Sequence, residues 1–163
     1  MANRLGADEV FEGKKGDLFE YVAQMTGGRL YRPLLGKQAL VGGADLVYEC
    51  VGSDESIDNS LRLVRSGGKV VLVGLASVPK RVDWTSIWLK ELTIKGSFCY
   101  GIENIQGRRT RAFQQALEWM AEGKLDLEPL VTHRFRLEDY KKALATTIHK
   151  GRYGVIKSVF TFD

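Results

Sequence analysis

The run KVVLVGL, residues 69–75, is apolar at successive positions after its lysine, with no alternation of polar residues. A strand of that kind is removed from water only when both faces are covered, as in the interior of a parallel sheet. Parallel neighbours in turn require a long crossover, usually a helix. The chain supplies one upstream: Asp45 to Val51 reads as a second apolar strand, and Ile57, Ser60, Leu61 and Val64 form a helical stripe that ends at Gly67-Gly68. The two strands and the helix between them make a βαβ unit.

The same alternation continues on both sides. Residues 2–5 read as the last turn of a helix stopped by Gly6, and Glu9 to Phe11 as a short strand. Leu18, Tyr21, Val22 and Met25 mark a helix from Asp17 to Met25, with Asp17 as N-cap and Gly27-Gly28 as its stop. Residues 29–43, broken by Pro33, Gly36 and Gly42-Gly43, read as an irregular insertion. Downstream come a short helix capped by Asp83, a strand over 92–100, helices over about 108–122 and 138–149, and a closing strand GVIKSVFTF at 154–162. Strands alternating with helices at these lengths predict an α/β fold with a right-handed, doubly wound parallel sheet.

Composition narrows the function classes. At 163 residues and 44% apolar, the chain has the make-up of one globular domain with a single sizeable core. Its net charge of +4 is scattered, with Arg108, Arg109 and Arg111 as the densest run, and is read as a solvated helix face. Nucleic-acid binding is not expected. No apolar run reaches the roughly 20 residues of a membrane span, and with no signal peptide a cytoplasmic location is expected. Cys50 and Cys99, on strand-like segments, are expected to be buried reduced thiols. They and His133 and His149 show no metal-ligand spacing, so no metal site is expected in this chain. Carboxylate pairs such as Asp54-Glu55 and Glu138-Asp139 sit at helix starts, where the dipole favours them without any catalytic role.

What remains are two strand ends that stop on glycine, Cys50-Val51-Gly52 and Val73-Gly74-Leu75. Either each is a tight strand-to-helix turn, or the pair lines one wall of a crevice at the carboxyl ends of parallel strands, where a flat ligand lies. No two glycines are separated by a single residue, so the G-x-G-x-x-G turn that grips a dinucleotide phosphate is absent.

The segments LGADEV, GADLVYECVG, SGGKVVLVGL, ELTIKGS, GKLDLEPLVTHRFRLEDYKKAL and KSVFTF, in this order, resemble the C-terminal portion of a medium-chain dehydrogenase/reductase. They are most similar to the zinc-dependent alcohol, threonine and sorbitol dehydrogenase branch. The resemblance implies an incomplete Rossmann-type sheet lacking its first two strands. It would occupy residues 1–163 as a partial NAD(P)-binding domain with a C-terminal tail. The phosphate turn, the ribose-binding acid and the zinc ligands would then lie in an N-terminal part not represented here.

The resemblance also implies roles for residues that are present. Cys50, Val51 and Gly52 match a loop beside the ribose and nicotinamide of NAD or NADP, and Val73, Gly74 and Leu75 a strand end that bonds the carboxamide. Ser97 and Cys99 fall in a segment touching the same group, and Lys157 matches a basic position that reaches the pyrophosphate. The 92–98 strand resembles the sheet edge through which relatives dimerise. A complete relative would oxidise an alcohol or polyol, while this chain by itself is expected to bind NAD or NADP weakly or not at all and not to turn over. Two alternatives stand beside that reading: a non-catalytic interaction module or split-subunit partner, and a relative of the zinc-free quinone oxidoreductases.

Overall fold

The computed structural model describes residues 1–13, 16–34 and 36–162. They form two compact units, one of residues 9–99 and one of residues 1–8 with 100–163.

The 9–99 unit opens with α1 (Leu18–Thr26), whose start is fixed by Asp17: its carboxylate accepts the Phe19 N–H at 2.7 Å. Gly27, at φ 65, ends it. The preceding segment Glu9–Phe11, expected as a strand, is not one. A strand needs a hydrogen-bonded neighbour, and this segment is held instead by the Phe11 ring against Tyr21, 5.0 Å between centroids.

Residues 29–43 are more ordered than their punctuation suggested. They contain an antiparallel pair, β1 (Arg29–Tyr31) and β2 (Ala39–Val41). Leu40 of β2 is buried with Phe19 and Leu63, and Leu18, Val22, Ala23 and Leu30 pack around them.

Next follow β3 (Ala44–Glu49), α2 (Asp54–Leu63), β4 (Val64–Leu72), α3 (Thr85–Leu89) and β5 (Thr93–Gly96). They build a parallel sheet in the order β3-β4-β5, the order expected for the later strands of a doubly wound sheet. Paired positions share a face. Val47, Val70 and Ile94 therefore point to the same side, where Leu61, Val64, Ile87 and Leu92 complete the core. The opposite face is open, and Leu46 and Tyr48 are exposed on it. KVVLVGL is accordingly covered on one side only, with Val70 buried and Val73 exposed.

α2 starts with a reciprocal cap between Ser53 and Ser56 and with Asp54 and Glu55 in its first turn, as the dipole favours. Besides its core stripe it carries a buried polar one. Asp58 accepts from Arg62 Nε at 3.0 Å, Lys37 Nζ at 2.9 Å and the Asp83 N–H at 2.8 Å. Arg62 donates to the Gln38 carbonyl at 2.6 Å and lies 4.6 Å from the Phe19 ring centroid, which ties the hairpin to the helix. Desolvation would raise the Asp58 carboxyl, but these donors and the Arg62 charge outweigh it and hold it below the usual range.

The helix ends at Leu63, not at Gly67-Gly68. Val64 already pairs with Ala44, and the glycines fall in an irregularity of β4 between the pairs Ala44–Val64 and Leu46–Lys69.

In the second unit, a 3-10 turn at Ala2–Leu5 stops at Gly6, φ 93. A hairpin follows, β6 (Ile102–Ile105) with β7 (Arg108–Arg111), turning through Gln106 and Gly107, both at positive φ as a two-residue hairpin turn requires. Arg108, Arg109 and Arg111 are therefore strand residues and not the start of a helix; α4 begins at Ala112 and runs to Ala121. Arg108 is ion-paired with Glu118 of α4.

β8 (Val131–Arg136) and β9 (Lys157–Thr161) pair in parallel, with α5 (Tyr140–Ile148) and α6 (Lys150–Tyr153) between them in sequence. His133 is on β8 with Nδ1 3.0 Å from Thr132 Oγ1, and the His149 N–H bonds the Ala145 carbonyl at the end of α5. Among the described residues no helix is long and apolar enough to cross a membrane.

Candidate functional site

The carboxyl ends of β3 and β4 close onto each other. After Glu49 the chain turns at Gly52, φ 83, into the cap of α2. A side chain at Gly52 would lie 2.6 to 2.8 Å from the Leu75 backbone. Gly74 is the reciprocal case: a Cβ there would strike the Gly52 amide nitrogen and lie 2.7 Å from the Val51 carbonyl carbon. Two glycines thus bring two main chains into contact, which no other residue pair permits. The Val73 and Gly74 N–H groups donate to the Glu49 carbonyl at 2.8 and 2.9 Å, and the Ser97 N–H donates to the Leu72 carbonyl at 2.9 Å.

Residues 50–52, 73–75 and 97 are therefore gathered at one end of the sheet. The side chains presented there are apolar and open, with Val51 71%, Val73 43% and Leu75 85% exposed. Cys99 lies three residues past β5, in a left-handed conformation with φ 50. Both cysteines are exposed, against the expectation of buried thiols. The reason is positional: Cys50 and Cys99 follow the ends of their strands and so escape the sheet's covered face. Lys157 is the first residue of β9 in the other unit and is exposed; its carbonyl accepts the Thr132 hydroxyl at 3.3 Å.

Sequence reasoning passed over Glu49. Its side chain is only 2% exposed. One carboxylate oxygen accepts the Val51 and Gly52 N–H groups, each at 2.8 Å, and the Ser56 hydroxyl at 2.7 Å. Burial pushes this carboxyl up, but the donors from Gly52, Ser56 and Val51 outweigh it and leave the group below its ordinary value. The first turn of α2 adds the positive end of a helix dipole. Alternation was the available signal: Glu49 shares the inward face with Val47, and an acid on a covered face needs donors.

A flat apolar wall edged by main-chain groups can support one face of an aromatic ring and offer hydrogen bonds at its rim. It holds no nucleophile–base pair. Among the described residues no group of three or more His, Cys, Asp or Glu could hold a metal ion, so these residues do not fit a zinc site. A groove of about 560 Å³ lies beside α4 and the β6–β7 turn. It is polar, and its principal charges, Arg108 and Glu118, are already matched to each other.

A family model described as zinc-binding dehydrogenase matches residues 1–122. The chain belongs to the zinc-binding dehydrogenase family. It is 33% identical to L-idonate 5-dehydrogenase of Vitis vinifera over 164 residues, which covers 98% of this chain and 39% of that one. With sorbitol dehydrogenase 1 of Saccharomyces cerevisiae it is 33% identical over 118 residues, 71% of this chain and 31% of the relative. These relatives occupy the branch that the sequence motifs resemble.

A zinc-binding dehydrogenase of Sinorhizobium meliloti 1021, solved bound to NADP, superposes on 88% of this chain and 37% of its own with a TM-score of 0.61 at 22% identity. That likeness establishes the mixed α/β, Rossmann-type fold. The chain thus spans well under half the length of the family members it matches.

Proposed function

We propose that this chain forms the nicotinamide side of the cofactor cleft in an NAD(P)-dependent, alcohol dehydrogenase-like oxidoreductase acting on a small alcohol or polyol. The observation that carries the reading is the main-chain contact of Gly52 with Gly74 and Leu75, which joins two strand ends into one continuous wall. Val51, Val73 and Leu75 would hold the ring flat and keep water from one of its faces. Cys50 and Gly52 would border the ribose, Gly74 and its neighbours would meet the carboxamide with main-chain groups, and Ser97 and Cys99 would flank it. The cofactor, when bound, supplies the hydride chemistry. We assign the zinc ligands and the phosphate-gripping turn to the further length that relatives possess.

The reading predicts NADH binding by the purified chain, followed by nicotinamide fluorescence and weak because the G-x-G-x-x-G turn is absent. Val51→Asp, which sets a carboxylate in the apolar wall, should weaken it about 10-fold or more. Equal affinity of wild type and variant would remove Val51 from the site. The chain by itself should not turn over alcohols with either cofactor; activity that survives zinc removal and mock-preparation controls would overturn this.

A second reading draws on the open sheet face that carries Leu46 and Tyr48. On it, the chain is a non-catalytic module or one half of a split subunit. Co-purification with a polypeptide that bears a G-x-G-x-x-G turn and zinc-type cysteines would favour it.

A further inference from the structure

Glu49 is the point on which the wall is assembled. Its side chain and its own carbonyl act on different strand ends. The Oε1 atom takes the Val51 and Gly52 N–H groups and the Ser56 hydroxyl, while the main-chain oxygen takes the Val73 and Gly74 N–H groups. Five donors from three segments therefore converge on one residue. The second carboxylate oxygen, Oε2, is buried without a partner and lies 2.7 Å from the place a Cβ on Gly74 would occupy. It packs into the space that the missing side chain leaves.

This arrangement is specific to a glutamate at position 49. Three donors on one oxygen suit an anion, since charge-assisted bonds are the stronger class. An amide would put an N–H group where Oε2 now sits, in a buried place with no acceptor. A shorter acid would not reach the Gly52 turn. Alanine at residue 74 would displace Oε2.

We infer that Glu49 is the positioning residue of the cofactor wall: its carboxylate sets the Val51–Gly52 turn while its carbonyl fixes Val73–Gly74, so that both strand ends present one surface to the ring. The positioning itself stands on the hydrogen bonds; its link to the cofactor rests on the reading proposed above.

The two parts separate in one set of measurements on the full chain. Backbone amide exchange by NMR, together with NADH titration, is compared for wild type, Glu49→Gln and Glu49→Asp. Both variants should raise exchange at Val51 and Gly52 about 10-fold or more, with Leu61 and Val70 in the core as protected as before. NADH affinity should fall by a similar factor. Unchanged exchange at Val51 and Gly52 in a folded variant overturns the positioning role. Faster exchange with unchanged NADH affinity overturns its link to the cofactor. A wild-type chain that binds no NADH refutes the wall reading, and the exchange data then decide the positioning role alone. Should Glu49→Gln not fold, Glu49→Asp, which keeps the charge and loses only reach, gives the same decision.

Discussion

Gly74 carries a constraint that its backbone angles do not reveal. Its φ lies outside the left-handed region, so alanine could adopt the conformation, but the space is taken: a Cβ would sit 2.7 Å from Glu49 Oε2 and from the Val51 carbonyl carbon. Overpacking of this kind costs about 1–3 kcal/mol. Gly74→Ala should lose roughly that much in urea-unfolding stability. Gly96→Ala, whose Cβ would meet nothing within 4 Å, should stay within about 0.5 kcal/mol of wild type. Equal losses would refute the contact. The sequence marked Gly52 and Gly74 because glycine after an apolar strand is a legible signal. Glu49 was not legible in the same way, since its burial is stable only once Gly52, Val51 and Ser56 are folded around it.

At the scale of elements, the end of α2 shows how a long-range contact overrides a local stop. The carbonyls of Arg62 and Val64 accept from Lys90 Nζ, each at 2.8 Å, so the helix finishes on a buried lysine from beyond α3 and not on the glycine pair. Burial first, and the Arg62 charge second, push the Lys90 amine down to about 8. The unfolded chain keeps the ordinary value of 10.5 and so binds more protons between these two limits. Stability should therefore climb with pH from about 8 to about 10.5, by on the order of 3 kcal/mol in full. Urea midpoints across that window should rise for wild type relative to Lys90→Met, which cannot titrate. Parallel pH curves for the two would rule out the depressed amine. The β6–β7 hairpin was missed for a different reason. Gln106 is not a residue that ordinarily signals positive φ, so the turn was visible only in Gly107.

For the molecule as a whole, the apolar surface left open is the salient property. Leu46 and Tyr48 on the sheet face, and Val51 and Phe98 past the strand ends, are all exposed. Large contiguous apolar patches are rare on soluble monomers and mark interaction surfaces. β5 is an edge of its sheet among the described residues, and self-association through residues 92–98, which the family resemblance implies, would use Phe98, which is 83% exposed. Phe98→Lys should weaken that association about 10-fold or more in sedimentation, with no loss of thermal stability, because the side chain supports nothing inside the unit. Association unaffected by the charge would exclude this edge.

The sequence by itself determined the alternation of strands and helices, the α1 caps, and the two glycine-ended strands, because each depends on residues a few positions apart. It also determined the family, through motifs kept in order along the chain. Tertiary structure alone decided that residues 29–43 contain a hairpin, that α2 stops at Leu63, that the cysteines face outward and that Glu49 holds the wall. The hairpin and the end of α2 depend on partners far away in sequence, such as Arg62 for Gln38 and Lys90 for Val64, and the wall on the Glu49 carbonyl receiving Val73 and Gly74. No local pattern records which distant group will arrive to satisfy a buried charge or carbonyl.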